Sequence, residues 1–155
     1  MELVLKTNWL YVMDNVLTDE ECDELINESD VNMKKSGVVG EKREGYRTSF
    51  NTFDTELETH ESLCIVRYKE GQEYKAHHDY FHKETMSEEL NRGGDRTFSL
   101  LFFLNDDFEG GGTLFTKMNL EIRPKKGRLI LWKNYLDGEQ NIMTEHAGMP
   151  VTKGK

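Results

Sequence analysis

The sequence lacks several features that would point to other classes of protein. It has only two cysteines, Cys22 and Cys64, so we expect no disulfide framework and favour a reduced, cytoplasmic setting. The longest largely apolar run, residues 98–104, is too short for a membrane span and predicts a buried strand. No basic segment followed by an apolar one precedes Leu3, so we do not expect secretion. The length of the chain indicates one globular domain that covers all 155 residues and is large enough to bury a core.

Positive charge is also scarce. There are 20 Lys and Arg residues against 29 Asp and Glu residues, which gives a formal net charge of −9 at pH 7. A protein that binds a phosphate backbone normally presents a basic patch. We therefore expect no nucleic-acid partner, and the charge modestly favours a neutral or basic polypeptide.

A helix is predicted near the amino terminus. Thr18 and Glu21 have the spacing of a capping box, in which each side chain accepts a hydrogen bond from the other residue's backbone N–H. The helix should run to about Ser29, with an apolar stripe that starts at Cys22. Residues 32–48 are polar and contain three glycines, which predicts a long mobile loop.

Short strand patterns dominate the rest of the chain. The segment 97–104 is apolar on both faces, which predicts a central strand. Residues 120–123 and 128–132 flank a turn and predict a hairpin, and residues 83–90 predict a helical turn in a lid-like loop. The other predicted strands are 10–16, 63–68, 114–116 and 144–146. One helix and many short strands indicate a β-sandwich or barrel with a helix on one face.

The clearest chemical signal is His77-His78-Asp79 together with the distant His146. In an extended strand, residues two apart point to the same side, so His77 and Asp79 face one point while His78 faces away. With His146, they would form a set of two imidazoles and one carboxylate. That set leaves three positions of an octahedral metal open, as in non-haem Fe(II) oxygenases.

Each of these residues also has a simpler interpretation. Alone, a His-x-Asp pair is more often an exposed polar pair than a metal site. Tyr68 is nearly as well explained as a core aromatic, Thr113 as the exit of a turn, and Arg96 as a surface charge. The remaining histidines, His60, His78 and His82, are expected to face solvent or to lie behind the site.

Several sequence blocks, in order, resemble the prolyl 4-hydroxylase family of Fe(II)- and 2-oxoglutarate-dependent dioxygenases. The similarity runs from about Tyr11 to Lys155. The central block contains Arg67-Tyr68, Gly71-Gln72, Tyr74 and His77-His78-Asp79-Tyr80-Phe81. The other blocks are residues 12–22, 47–49, 93–96, 109–115, 124–127 and 146–151.

The resemblance implies a mainly β double-stranded β-helix, a jelly-roll with one or two supporting N-terminal helices. It implies that His77, Asp79 and His146 bind the iron, and that Tyr68 and Thr113 contact 2-oxoglutarate. The positions implied to contact the peptide substrate are Tyr74, Arg96, Arg47 and Ser49, and Arg96 is also a candidate for a catalytic role.

A lysine ten residues after the second iron histidine anchors the far carboxylate of 2-oxoglutarate in this family. That position would be 156 here. Either Lys155 takes the role at an offset of one residue, or the natural chain continues with a further strand. We favour the second interpretation, because loss of that strand would leave a sheet edge open.

The activity implied is hydroxylation of a prolyl residue at its 4-position in a peptide or protein, with succinate and CO2 as co-products and ascorbate as a candidate reductant. One alternative is the same mechanism on another residue or on a small molecule. Another is a jelly-roll module that binds metal with little turnover. The absence of a leader favours a cytoplasmic enzyme of bacterial, viral or other non-secretory origin.

Overall fold

The computed structural model describes residues 1–30, 34–35, 50–53, 61, 63–81, 90–91 and 94–154. Within these residues, one complete α-helix and fifteen short strands are assigned, in agreement with the predicted mainly β class. The helix is α1 (Asp19–Asp30). The strands are β1 (Glu2–Lys6), β2 (Leu10–Asp14), β3 (Lys34–Lys35), β4 (Phe50–Phe53), β5 (Cys64–Arg67), β6 (Tyr74–His77), β7 (Phe98–Phe103), β8 (Glu109–Gly110), β9 (Thr113–Phe115), β10 (Leu120–Ile122), β11 (Arg128–Lys133), β12 (Tyr135–Leu136), β13 (Glu139–Gln140), β14 (His146–Gly148) and β15 (Val151–Lys153).

Two four-stranded antiparallel sheets form the body of the fold. Their strand orders are β1-β2-β11-β7 and β10-β9-β14-β6. The main hydrophobic cluster joins the two sheets, because Leu10 and Trp132 come from the first and Phe115 and Ile122 from the second. The Phe115 ring packs edge-on against Trp132, with 5.6 Å between ring centroids. Side chains that interdigitate between two sheets are the core of a sandwich, as expected for a jelly-roll.

The capping box at the start of α1 is confirmed. The Thr18 N–H donates to the Glu21 carboxylate at 2.8 Å, and the Glu21 N–H donates to Thr18 Oγ1 at 3.2 Å. Both partners lie within one turn, so the sequence alone specifies this start. Cys22, on the helix itself, is fully buried.

The prediction that 97–104 is a central strand was wrong within the described part of the chain. There, β7 lies at one end of its sheet and pairs only with β11. Its inward face packs Leu101 and Phe103 against the core, whereas Phe98 and Leu100 on the other face are 52% and 56% exposed. The apolar residues on both faces predicted burial on both faces, but in the structure only the inward face of β7 is packed against the core.

The hairpin predicted across Pro124–Gly127 was also wrong. β10 pairs with β9, whereas β11 pairs with β2 and β7 in the other sheet. The turn therefore passes from one sheet to the other. Arg128 and Lys125 both donate to Asp14 at the end of β2, each at 2.6 Å, and these contacts hold the start of β11 beside β2.

Several boundaries differ from the sequence predictions. Strands β1 and β4 were not predicted, and β14 begins only at His146, after a 3-10 turn over Ile142–Thr144. Residues 34 and 35 of the predicted loop form β3, and the rest of that loop and residues 83–89 lie outside the described residues. Among the residues that are described, no helix is long and apolar enough to cross a membrane.

Candidate metal centre

Three predicted ligand residues meet where β6 and β14 run side by side. His77 and His146 are direct partners in the antiparallel register of these strands, and their ring centroids lie 4.3 Å apart. Asp79 lies two residues beyond the end of β6, in a bend rather than in the strand that we expected. Its carboxylate nevertheless faces both imidazoles, so the structure brings the three side chains together.

The ligand atoms of this cluster converge on one point. Asp79 Oδ1 lies 3.5 Å from His77 Nε2 and 3.7 Å from His146 Nε2. One potential ligand atom from each residue lies within 4.8 Å of the others. Two imidazoles and one carboxylate at this spacing could hold a divalent transition metal and leave coordination positions open.

Backbone carbonyls set the protonation of both imidazoles. His77 Nδ1 lies 2.7 Å from the Lys75 carbonyl oxygen, and His146 Nδ1 lies 2.8 Å from the Thr144 carbonyl oxygen. Because a carbonyl oxygen can only accept, each Nδ1 must carry a hydrogen and donate it. In a neutral ring of this tautomer, the Nε2 lone pair faces Asp79, which is the arrangement that metal-binding histidines use.

The pKa directions of Asp79 and His146 both favour the forms in which these two side chains bind metal. Burial would raise the pKa of Asp79, but His146, His77 and the Ser99 hydroxyl outweigh it and hold that pKa well below its usual value. Burial lowers the pKa of His146, against the opposing effect of Asp79. An ionised carboxylate and a neutral imidazole are the forms in which Asp79 and His146 bind metal.

Asp79 is held by residues that the sequence analysis missed or assigned otherwise. Ser99 Oγ donates to Asp79 Oδ2 at 2.6 Å, and Asn134 Nδ2 donates to Ser99 Oγ at 2.9 Å. The one feature of the sequence that could have indicated a role for Ser99 is that it is a polar residue in the apolar strand β7. Arg96 Nη1 donates to the Asp79 backbone carbonyl at 3.2 Å, and its guanidinium also pairs with Glu61.

The residues predicted to contact 2-oxoglutarate and substrate gather around Gly148. In the sheet register, Gly148 pairs with Tyr74 on one side and with the buried Thr113 on the other. A Cβ atom at Gly148 would lie 3.6 Å from the Tyr68 hydroxyl and 3.5 Å from Tyr74 Cβ. The Tyr74 ring also stacks on His77 with 3.6 Å between centroids. Tyr68, Tyr74 and Thr113 thus share one corner of the molecule with the ligand cluster.

His78 is not part of the cluster, as the strand alternation predicted. Its Nε2 lies 3.3 Å from the Ile142 carbonyl oxygen and its ring stacks on Tyr80. The remaining predicted contacts, Arg47, Ser49 and Lys155, lie outside the described residues, as do His60 and His82.

Comparison with known proteins identifies the family. The family model described as the 2OG-Fe(II) oxygenase superfamily matches residues 63–155, which include all three ligand residues. The chain belongs to this superfamily. The match also covers Tyr68, Tyr74 and Thr113, so the corner around Gly148 lies within the family's own domain.

Relatives of known sequence extend the likeness to prolyl 4-hydroxylases. The chain is 29% identical to "Prolyl 4-hydroxylase 2" of Arabidopsis thaliana over 94% of its own length and 63% of that protein. It is 26% identical to a "Putative prolyl 4-hydroxylase" of Acanthamoeba polyphaga mimivirus, over 94% of this chain and 69% of that protein. The chain thus spans under two thirds of the length of several plant relatives, at 63% or 64%. The resemblance to the prolyl 4-hydroxylase family is confirmed.

Solved structures confirm the fold. The viral collagen prolyl hydroxylase of Paramecium Bursaria Chlorella virus-1, solved as a 2OG complex, superimposes with a TM-score of 0.74 at 25% identity, over 95% of this chain and 91% of that one. A prolyl-4-hydroxylase of Pseudomonas putida gives a TM-score of 0.66 at 15% identity, over 94% and 87% of the two chains, and bears on the fold alone. The predicted double-stranded β-helix is correct.

Proposed function

We propose that this chain is an Fe(II)- and 2-oxoglutarate-dependent dioxygenase that hydroxylates a prolyl residue at its 4-position in a peptide or protein. Succinate and CO2 would be the co-products. The observation that carries the proposal is the convergence of two imidazole Nε2 atoms and one carboxylate oxygen, at 3.5 and 3.7 Å, in a chain whose relatives are named prolyl 4-hydroxylases.

His77, Asp79 and His146 would hold the iron in this proposal. Their donor set fits the metal, because both Nδ1 atoms are committed to backbone carbonyls and both Nε2 atoms face Asp79. When bound, Fe(II) and 2-oxoglutarate supply the oxidising chemistry. The part of the protein is to fix the ligand geometry, to exclude water and to place the target carbon.

Water is excluded from the inner side of the site by aromatic packing. The Trp132 ring lies 4.8 Å from the His146 ring, and Phe115 lies 5.9 Å from it, measured between centroids. His146 is only 5% exposed, whereas the side chains of His77 and Asp79 retain 12% and 20% exposure. Ligands would therefore approach from the side of His77 and Tyr74.

The corner around Gly148 is where we place 2-oxoglutarate. The Tyr68 hydroxyl and Thr113 would contact the co-substrate, and the absence of a side chain at position 148 leaves room between them. The far carboxylate needs a cation, because an unpaired buried carboxylate is costly. Lys155 is our sequence-based candidate for that role.

The peptide would enter across Tyr74 and Arg96, with Arg47 and Ser49 as further contacts. The net charge of −9 favours a neutral or basic peptide and disfavours nucleic acid. Ascorbate as a reductant and a cytoplasmic location are parts of the proposal that rest on the sequence.

The proposal is tested by titrating the metal-free chain with Fe(II) and then 2-oxoglutarate, without oxygen. We expect a visible charge-transfer band that needs both additions. Oxygen should then convert a proline-containing peptide to hydroxyproline with matching succinate, and the same peptide with alanine in place of proline should not be hydroxylated.

The outcomes separate the alternatives. A band and succinate formation without any hydroxyproline would favour another residue or a small molecule as substrate. A band without succinate would favour a metal-binding module with little turnover. Failure to bind Fe(II) would overturn the proposed metal site.

A further inference from the structure

The two oxygens of the Asp79 carboxylate have different partners. Oδ1 faces both imidazoles, at 3.5 Å from His77 Nε2 and 3.7 Å from His146 Nε2. Oδ2 instead accepts a hydrogen bond from Ser99 Oγ at 2.6 Å. A carboxylate can bind a metal through one oxygen or through both, and here one oxygen is already engaged by the protein.

Ser99 is itself held in place by a fully buried side chain. Asn134 Nδ2 donates to Ser99 Oγ at 2.9 Å. The Asn134 backbone is fixed on both sides, because its N–H donates to the Thr97 carbonyl at 2.9 Å and its carbonyl accepts from the Asn141 N–H at 2.8 Å. Asn134, Ser99 and Asp79 thus form a chain of hydrogen bonds, here called the relay, and Ser99 places it on β7 of the first sheet.

The direction of this relay follows from its carboxylate end. A ligand carboxylate is ionised and can only accept, so the single hydrogen of Ser99 must point to Asp79. Ser99 Oγ can then only accept from Asn134, and Asn134 must present its NH2 group. This orientation leaves Asn134 Oδ1 buried without a hydrogen-bond partner among the described residues.

An unpaired buried carbonyl oxygen destabilises the folded state. A leucine at position 134 would fill a similar volume without an unpaired oxygen. An amide at this position is therefore poorly explained by stability alone and is better explained by what it does to Asp79.

We propose that Ser99 and Asn134 are positioning residues that keep Oδ2 of Asp79 away from the metal, so that Asp79 binds through Oδ1 alone. This inference rests on the proposed function, since it concerns the same metal site. If Asp79 binds through one oxygen, three coordination positions stay open. 2-Oxoglutarate would need two of them and oxygen the third. Without the relay, Oδ2 is free to compete for one of them.

The test compares Ser99→Ala with the unchanged protein in the anaerobic titration, which needs no turnover. We expect the dissociation constant for 2-oxoglutarate on the Fe(II)-loaded protein to rise about tenfold or more, as outer-shell changes commonly weaken metal sites by about 10–100-fold. The visible spectrum of the Co(II)-loaded protein should also change, because it reports the number of ligands. Ser99→Thr, which keeps the hydroxyl, should remain within about threefold of the unchanged protein.

Asn134→Leu separates a positioning role from a structural one. We expect the thermal unfolding midpoint of the metal-free protein to stay the same or rise, because the unpaired oxygen is removed, while 2-oxoglutarate binding weakens as in Ser99→Ala. Leu100→Ala is the matched control, since Leu100 is the neighbour of Ser99 on β7 and its side chain faces outward. This substitution should leave the dissociation constants for Fe(II) and for 2-oxoglutarate unchanged.

The possible failures are distinguishable. If the unchanged protein binds no Fe(II), the proposed function and this inference are both overturned. If it binds Fe(II) and 2-oxoglutarate but Ser99→Ala binds them equally well with the same Co(II) spectrum, only the inference is overturned. A loss of binding in Asn134→Leu that merely follows a fall in the unfolding midpoint would likewise count against it.

Discussion

Two aspartates, Asp14 and Asp79, each sit at the centre of a charged cluster, and the clusters differ in their partners. Asp14 accepts from the basic side chains of Arg128 and Lys125, and each of its oxygens has a donor at 2.6 Å. Asp79 has a hydroxyl on one oxygen and two imidazoles facing the other, at 3.5 and 3.7 Å. The first cluster is complete within the protein, whereas the second leaves three lone pairs directed at one point.

A lowered pKa alone does not distinguish these clusters. Hydrogen bonding from Arg128, with a smaller contribution from Lys125, outweighs burial and lowers the pKa of Asp14 to about 2. The pKa of Asp79 is also held well below its usual value. What distinguishes a binding site from a structural ion pair is thus the pair of imidazole Nε2 atoms that face the carboxylate.

The largest expected effect is on the ligand cluster. Asp79→Asn should weaken Fe(II) binding and lower turnover by more than about 100-fold, because a charged ligand is lost and outer-shell changes alone cost about 10–100-fold. Its free energy of unfolding should also fall, because the lowered pKa of Asp79 means that the folded chain stabilises the ionised carboxylate, which the substitution replaces with a neutral amide. Anaerobic titration and urea unfolding of the metal-free protein measure the two effects. Retained Fe(II) binding would contradict the assignment of Asp79.

The same substitution at the other aspartate should lower the stability of the fold without affecting the metal site. Asp14→Asn removes the charge between Arg128 and Lys125, and we expect the free energy of unfolding to fall by about 2–3 kcal/mol. This is less than for a fully buried pair, because the Lys125 side chain is 45% exposed. Fe(II) binding at 25 °C should be unchanged. A loss of Fe(II) binding in the folded variant would show that the two clusters are coupled.

The pH dependence of stability should report Asp14. Its pKa is about 2 in the folded chain against an ordinary value of 3.8, so its contribution is present above about pH 4 and is lost as the pH falls towards 2. The contribution is at most about 2 kcal/mol, because Lys125 is partly in solvent. Urea unfolding of the metal-free protein between pH 2 and 5 should show that the free energy of unfolding falls less steeply with decreasing pH in Asp14→Asn than in the unchanged protein. The same pH dependence in both proteins would contradict this assignment.

The smallest expected effect tests which of the two neighbouring histidines, His77 or His78, binds the metal. His78→Ala should change Fe(II) affinity by less than about threefold, because the His78 ring stacks on Tyr80 and lies outside the cluster. His77→Ala is the matched substitution and should abolish binding. If His78→Ala lost the metal while His77→Ala kept it, the alternation along β6 would have been assigned to the wrong face.

The features that the sequence predicted correctly are those encoded over short distances. The Thr18–Glu21 capping box spans one helical turn, and the alternation that separates His77 from His78 spans two residues. His146 was placed by its resemblance to a family motif, and the register of β6 against β14 then brought it opposite His77.

The features that the sequence did not predict depend on pairing between distant segments. The partner of β10 is β9 rather than β11, and a local hydrophobic pattern contains no information on which sheet a strand joins. Ser99 and Asn134 are 35 residues apart and become neighbours only because β7 and β11 pair. The contact of Asn134 with Ser99, and of Ser99 with Asp79, therefore had no local signature beyond one polar residue in an apolar strand.

The position of Trp132 gives the protein an optical property of its own. It is one of only two tryptophans in the chain, and its indole lies 4.8 Å from the His146 imidazole. A paramagnetic ion held at that imidazole would quench the indole's fluorescence at close range. The other tryptophan, Trp9, can be replaced by phenylalanine to leave a single emitter. The unlabelled chain would then act as its own fluorescent indicator of site occupancy.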